Sequence, residues 1–187
     1  VFDWETCKNV ADFFANIIDY KSFVADLSQL MAAIPMCIYA SHIDKERHVN
    51  QYINPIEPYD LCMTFVLERI LRDLPVNQNC VIILESRGAK EDRAVLDFIK
   101  GLIDNGTRFH PASHFSRIKG VYFNPKWCKA ADDRMSYWEL ELADLCAYPI
   151  QKFFVYGTMD LAFQVILPKL SHYPDHMGKG LKSFPIT

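Results

Sequence analysis

Carboxylates at the ends of predicted secondary-structure elements are the residues best suited to chemistry in this sequence. Glu85 follows an apolar run, 80–84, that predicts a strand covered on both faces, and a carboxylate there is either paired or functional. Glu141 and Asp144 lie three residues apart on one side of a predicted helix. Two carboxylates this close repel each other unless a proton or cation lies between them, and Mg²⁺ prefers such oxygen ligands. The spacing leaves two interpretations open, a metal site at Glu141 and Asp144 or a solvated acidic helix face.

Cationic side chains follow two of the predicted strands. Lys45 comes just after the strand predicted for 36–43, and Arg87 lies two residues beyond Glu85. Because ligands of α/β sheets bind outside the carboxyl ends of the strands, we expect Lys45 and Arg87 to neutralise a substrate phosphate. Arg87 is also a candidate ion-pair partner for Glu85. Asp92 is a further candidate metal ligand, although acidic residues are favoured in the first turn of any helix by its dipole.

The segment 108–129 alternates cations with aromatic residues. Its members are Arg108, Phe109, Phe115, Arg117, Lys119, Tyr122, Phe123, Lys126, Trp127 and Lys129. Such a pattern is typical of binding to a single nucleic-acid strand through phosphate contacts and base stacking. Tyr122 and Phe123 fall in a predicted strand, so at least one of them is expected in the core instead.

Several common site types are missing from the sequence. It has no glycine-rich phosphate loop, no nucleophile elbow and no CxxC pair. Two His-x-x-x-His pairs have the spacing of a zinc helix, but Pro111 and Pro174 interrupt them. Neither pair can form a regular helix, so a zinc site is not expected.

Strands alternate with helices along the chain, which predicts an α/β fold with a mostly parallel sheet. Periodicity predicts helices over about 21–33, 58–74, 91–104 and 136–153, a short one near 160–167, and strands over 36–43, 80–84 and 120–124. Asn105-Gly106 is a helix stop signal. The remainder is expected to be irregular.

The composition fits one globular domain of 187 residues, 50% apolar and 23% charged. The net charge of −3 argues against a uniform nucleic-acid-binding surface but leaves room for a local basic groove. Six scattered cysteines favour a reducing compartment, the cytoplasm, over a disulfide framework. No apolar run approaches the ~20 residues of a membrane span, so no membrane association is expected. The oligomeric state stays open.

Two segments together resemble one family. The sequence VIILESRGAKED (81–92) is similar to the ESRG-x-KED stretch of the domain-of-unknown-function family 3800, and LELADLCAYPI (140–150) resembles its C-terminal motif, usually written Q-x-x-D. Residues 43–45 and 179–185 also match members in the same order. The resemblance implies one ribonuclease H-like domain over 1–187, with three layers and a mixed, mostly parallel central sheet flanked by helices.

The resemblance also implies a site. Family members commonly gather carboxylates around two divalent metals to cleave phosphodiesters, and the implied carriers here are Glu85 and Asp144, with Glu141 where Gln is usual. The family pattern begins with a strand that bears an Asp-Glu pair, and nothing before Lys21 matches it. Either that strand precedes Val1 or this chain has lost it.

Two functions follow as expectations. The first is a metal-dependent nuclease or phosphodiesterase that uses Mg²⁺ or Mn²⁺, with Glu85, Asp144 and Glu141 as catalytic groups, the same three with Asp92 as metal ligands, and Arg87 and Lys45 as substrate-binding cations. The alternative is a non-catalytic ribonuclease H-like module that binds nucleic acid or a protein partner. In that case we expect a buried ion pair between Asp144 and Arg87 or a lysine.

Overall fold

A computed structural model of the chain describes residues 20–124 and 138–185. The helices are α1 (Tyr20–Ala33), α2 (Lys45–Gln51), α3 (Pro58–Asp73), α4 (Ala89–Asn105), α5 (Ala112–Phe115), α6 (Trp138–Tyr156) and α7 (Leu161–Ile166), followed by a 3₁₀ turn (Leu167–Lys169). The strands are β1 (Ala40–Ile43), β2 (Cys80–Glu85), β3 (Ile118–Asn124) and β4 (Leu181–Phe184). The order of elements confirms the predicted α/β class.

The described ends of the four long helices lie within about three residues of the predicted boundaries. Pro58 occupies the first turn of α3, and Glu57 caps it by accepting hydrogen bonds from the backbone N–H groups of Tyr59 (2.6 Å) and Asp60 (3.0 Å). Helix α4 ends at Asn105 and is capped by Gly106, whose φ of 73° lies in the left-handed region that glycine tolerates without a side-chain clash. Both boundaries are set by residues at the boundary itself, which is why the local sequence predicts them.

The four described strands form two parallel pairs. β1 pairs with β4, Ala40 opposite Leu181, and β2 pairs with β3, Ile82 opposite Val121. The expectation of an irregular C-terminal region was wrong for β4. The strand predicted for 36–43 is shorter than expected, since its first half makes only an isolated bridge between Ile38 and Leu170.

Strands β1 and β2 point the same way, because both run antiparallel to α3. Lys45 follows β1 and Arg87 follows β2; Arg87 lies over the ring of Tyr59 in the first turn of α3, and Lys45 lines the same cleft as both. At the opposite end, the Tyr39 hydroxyl before β1 donates to Asp73 (3.0 Å), and Arg117 donates to the carbonyl of Leu74, just after α3 (2.9 Å). The carboxyl ends of β1 and β2 therefore meet at the start of α3.

Two hydrophobic clusters form the core. One is built on β4 and the helices α1, α6 and α7 and contains Met31, Cys146, Ile150, Phe163, Ile166, Leu170 and Leu181. The other is built on α3, α4, α5 and β3 and contains Leu67, Leu71, Ile99, Leu102, Phe115 and Ile118. Each cluster covers one of the parallel strand pairs.

Asp73 at the end of α3 links the elements of the two clusters. Its Oδ2 accepts hydrogen bonds from the hydroxyls of Tyr39 (3.0 Å) and Ser171 (3.2 Å) and lies 3.0 Å from Nε2 of His172. Its Oδ1 accepts from Nε of Arg72 (2.8 Å). Burial pushes the pKa of Asp73 upward, but the hydrogen bonds from Arg72, Tyr39 and His172 outweigh it and hold that pKa well below its ordinary value of 3.8.

None of the helices in the described part of the chain combines the length and apolar character that a bilayer crossing requires. The cysteines described, Cys37, Cys62, Cys80 and Cys146, are free thiols.

Candidate functional site

A cleft with a volume of about 930 Å³ follows the edge of β1. Helix α3 contributes Cys62, Val66 and Ile70 to its wall, and α6 contributes Leu142 and Ile150. A second lobe of about 430 Å³ runs from Ser41 along β2. Together the two lobes separate β1 from β2, and we call them the interstrand cleft.

The polar mouth of the interstrand cleft lies at the carboxyl ends of the two strands. Its side chains are Lys45, Glu57, Tyr59, Arg87 and Glu139. The Arg87 guanidinium carbon lies 5.8 Å from the centre of the Tyr59 ring, a cation–π contact. Burial raises the pKa of Tyr59, and the nearby Arg87 only partly offsets this. The structure thus brings together the two predicted substrate-binding cations, Lys45 and Arg87.

Caps and turns hold these cations in place. The Asp44 carboxylate accepts a hydrogen bond from the Arg47 backbone N–H (3.0 Å) and caps α2, so Lys45 occupies the first helical position. Asp92 accepts from the Ser86 hydroxyl (2.5 Å) and from the Arg87 backbone N–H (2.9 Å). Asp92 therefore closes the turn after β2 with one hydrogen bond to each of its oxygens, which fixes the orientation of its carboxylate.

The predicted acidic pair on α6 does not line the interstrand cleft. The lining positions of this helix include Trp138, Glu139, Leu142 and Cys146. At 3.6 residues per turn, Glu141 and Asp144 fall on the other side of the helix, where both are exposed. Glu139 is the acidic residue of α6 that reaches the mouth, and the sequence pattern did not single it out.

Glu85 is exposed at the carboxyl end of β2. Helix α6 contacts β2, so the acids of this helix and Glu85 lie on neighbouring elements. Within 20–124 and 138–185, no group of three or more His, Cys, Asp or Glu side chains is arranged to hold a metal ion. The predicted ligands Glu85, Asp92, Glu141 and Asp144 therefore do not fit a shared cation as one set in this part of the chain.

The edges of β1 and β2 that face the interstrand cleft carry backbone hydrogen-bonding groups. In a parallel pair, alternate residues bond on alternate sides. Ala40 and Asp44 donate to the β4 side, and Ser86 donates to β3. The odd-numbered residues of both strands, such as Ser41 and Ile83, therefore present their N–H and C=O groups to the cleft. The Ser41 hydroxyl oxygen is buried without a hydrogen-bond partner among the described residues.

This arrangement corrects one expectation for the 80–84 strand. The prediction was a central strand covered on both faces, but β3 is the only partner of β2 in the described chain, and Val81 is 54% exposed. An apolar strand is expected both in the buried centre of a sheet and in the wall of a cleft, so the sequence alone does not distinguish these two positions.

Comparison with protein-family models, with curated proteins and with solved structures finds no match to this chain.

Proposed function

We propose that the mouth of the interstrand cleft binds the phosphate group of a nucleic acid or a nucleotide. One observation carries the proposal: Lys45 and Arg87, far apart in the sequence, follow parallel strands and line the same opening. Ligands of α/β folds bind at this position, and phosphate is the group that paired Lys and Arg side chains commonly recognise.

The lack of direct carboxylate contacts to the two cations, in the part of the chain that the structure describes, supports this proposal. Among the described residues, neither Lys45 nor Arg87 has a carboxylate oxygen within 4.0 Å. The Glu57 carboxylate is occupied by two backbone N–H groups at the start of α3, where the helix dipole offsets its charge. Both cations therefore remain available to an incoming anion.

We further propose that the fold is ribonuclease H-like and that the protein is located in the cytoplasm. Two parallel strand pairs point in one direction at β1 and β2, with α3 and α6 beside the cleft between them, as a layered α/β domain requires. The free thiols Cys37, Cys62, Cys80 and Cys146 suit a reducing compartment.

Calorimetric titration with ADP tests the phosphate site. The Lys45→Gln, Arg87→Gln double variant should bind ADP at least about tenfold more weakly, because each lost charge-assisted hydrogen bond contributes about 1.5–3 kcal/mol and 1.4 kcal/mol is tenfold. Lys100→Gln is the control, since Lys100 is exposed on α4 and outside the cleft. Equal ADP affinity in the double variant and the wild type contradicts the proposal.

A second candidate is metal-dependent phosphodiester hydrolysis, which rests on the contact between α6, the helix that carries Glu141 and Asp144, and β2, the strand that ends at Glu85. Bound Mg²⁺ or Mn²⁺ activates water and stabilises charge on the leaving oxygen. Titration with Mn²⁺ tests this candidate: the Glu85→Gln, Asp144→Asn variant should lose binding that an Asp97→Asn control keeps. Unchanged Mn²⁺ binding leaves the non-catalytic phosphate-binding module as the function.

A further inference from the structure

A second cleft, of about 340 Å³, combines cations with aromatic rings. Its side chains include Phe65, Arg69, Arg72, Phe109, Lys182 and Phe184, and we call it the basic–aromatic cleft. It uses the last turns of α3, the loop after α4 and strand β4. None of these side chains lines the interstrand cleft.

Two cations flank one ring in this cleft. The Arg69 guanidinium carbon lies 5.6 Å from the centre of the Phe65 ring, and Lys182 Nζ lies 5.7 Å from the same centre. Lys182 Nζ is also 5.9 Å from the Phe184 ring. The Arg69 side chain is held in place, because it donates to the carbonyls of Gly178 (3.0 and 3.2 Å) and Phe65 (2.8 Å).

The acidic residues near these cations are already engaged. The Glu68 side chain is 8% exposed and accepts a hydrogen bond from the Thr107 hydroxyl (2.7 Å). Asp73 is paired with Arg72 at 2.8 Å. In the described part of the chain, neither Arg69 nor Lys182 lies within 4.0 Å of a carboxylate oxygen.

The like charges oppose each other. Burial lowers the pKa of Lys182, and the charge of Arg69 lowers it further. An anion bound between the two side chains would relieve this repulsion. The cleft is therefore electrostatically suited to a phosphate group, although the net charge of the whole chain is −3.

An exposed aromatic platform lies at the edge of the basic–aromatic cleft. The Phe109 side chain is 74% exposed, and the Arg108 guanidinium carbon lies 5.7 Å from its ring centre. The backbone N–H groups of Phe109 and His110 donate to the Thr107 hydroxyl (3.2 and 3.1 Å), which orders this loop. The neighbouring His110 ring stacks on His114 with centroids 4.3 Å apart.

We propose that the basic–aromatic cleft binds single-stranded nucleic acid, with a backbone phosphate between Arg69 and Lys182 and an unpaired base stacked on Phe109. Stacking on an exposed ring requires a base free of its partner strand, which favours a single strand over a duplex. This inference does not depend on the phosphate site at the mouth of the interstrand cleft.

Fluorescence anisotropy with a fluorescein-labelled 12-residue oligothymidylate tests the proposal. Phe109→Ala should weaken binding by about 5- to 150-fold, since stacking of one base on an aromatic ring contributes about 1–3 kcal/mol. Phe109→Tyr should retain binding. Lys182→Gln should reduce the slope of log K against log salt by about 0.7, the value for one phosphate contact on a single strand. The Lys100→Gln control should keep the wild-type affinity and slope.

Three results would overturn the inference. The first is the absence of oligothymidylate binding by the wild-type chain at 50 mM salt. The second is wild-type affinity for the oligonucleotide in both Phe109→Ala and Lys182→Gln, with loss of binding in the Lys45→Gln, Arg87→Gln variant. That result assigns oligonucleotide binding to the interstrand cleft and leaves the proposed function intact. The third is Phe109-dependent binding to phosphatidylglycerol vesicles without oligonucleotide binding, which assigns the cleft to a lipid surface.

Discussion

Replacing Asp73 by alanine should destabilise the protein more than removing any exposed acid. The substitution deletes the acceptor that Tyr39 and Ser171 share and the partner of Arg72 and His172. Ser171 is 7% exposed, so its hydroxyl has little access to replacement water. The loss therefore falls on the link between the two halves of the core.

The two hydroxyl donors set the magnitude. Each loses a hydrogen bond to a charged acceptor, which contributes about 1.5–3 kcal/mol. The Arg72 and His172 side chains are 43% and 41% exposed, so their ion pairs with Asp73 add little. The free energy of unfolding should fall by about 3–6 kcal/mol, which lowers Tm by roughly 6–24 °C in a chain of this size.

Urea unfolding followed by circular dichroism measures this change. Asp97→Ala is the matched control, because Asp97 pairs with Arg93 at 3.0 Å with both side chains more than half exposed, and its loss should cost at most about 0.5 kcal/mol. Asp73→Asn keeps an acceptor oxygen without the charge and should fall between the two.

The pH dependence gives a second measurement of the same residue. Because the folded-state pKa of Asp73 lies below its ordinary value of 3.8, its stabilisation is fully present above that value and is lost as the pH falls below it. The wild type should therefore lose more stability than Asp73→Asn below about pH 4. Two results together would refute the reasoning: equal urea midpoints for Asp73→Ala and Asp97→Ala, and an equal loss of stability with falling pH in the wild type and Asp73→Asn.

Three further predictions concern the backbone of Gly106, the hydroxyl of Tyr39 and the ring of Phe115. Gly106→Ala should lower the free energy of unfolding in urea by at least about 1–2 kcal/mol, because φ is 73° and a Cβ would collide with the backbone of the following loop. Gly101→Ala, where a Cβ meets open space within α4, should raise that free energy by about 0.5–1 kcal/mol. Stability changes of the same sign in both variants contradict this prediction. Burial raises the pKa of Tyr39 to about 12, so the stabilisation that Tyr39 provides should persist up to pH 10 and be lost as the pH rises towards 12. Tyr39→Phe should remove this part of the loss of stability at alkaline pH, together with one phenolate transition in the absorbance titration. Phe115→Ala should cost about 3–5 kcal/mol because the ring is 0% exposed, and a loss below 1 kcal/mol in calorimetry argues against its place in the core.

The helices could be predicted because their signals are local. Pro58 and Gly106 mark boundaries through backbone chemistry that needs no tertiary partner. Strand β4 could not be predicted in the same way. Its residues, Leu181–Phe184, have no strong strand pattern, and they become a strand by pairing with β1 from the other end of the described chain.

The candidate site was predictable only in part. The rule for strand ends identified Lys45 and Arg87, and the structure brings them to one opening. The orientation of α6 could not be predicted, because Leu142 on the cleft side and Leu145 on the other side are both apolar. The pattern of apolar residues therefore does not predict which way Glu141 and Asp144 face, because the neighbouring elements decide which face of the helix packs.

The pairing of β1 with β4 constrains the order of events during synthesis. On a ribosome, β1 emerges long before Leu181–Phe184 exists, while β2 and β3 can pair after a much shorter stretch of chain. The β2–β3 half should therefore acquire structure first, as contact order dictates. Until translation reaches residue 181, the nascent β1 lacks its native partner and exposes both of its edges, so during this interval it can pair wrongly with other chains.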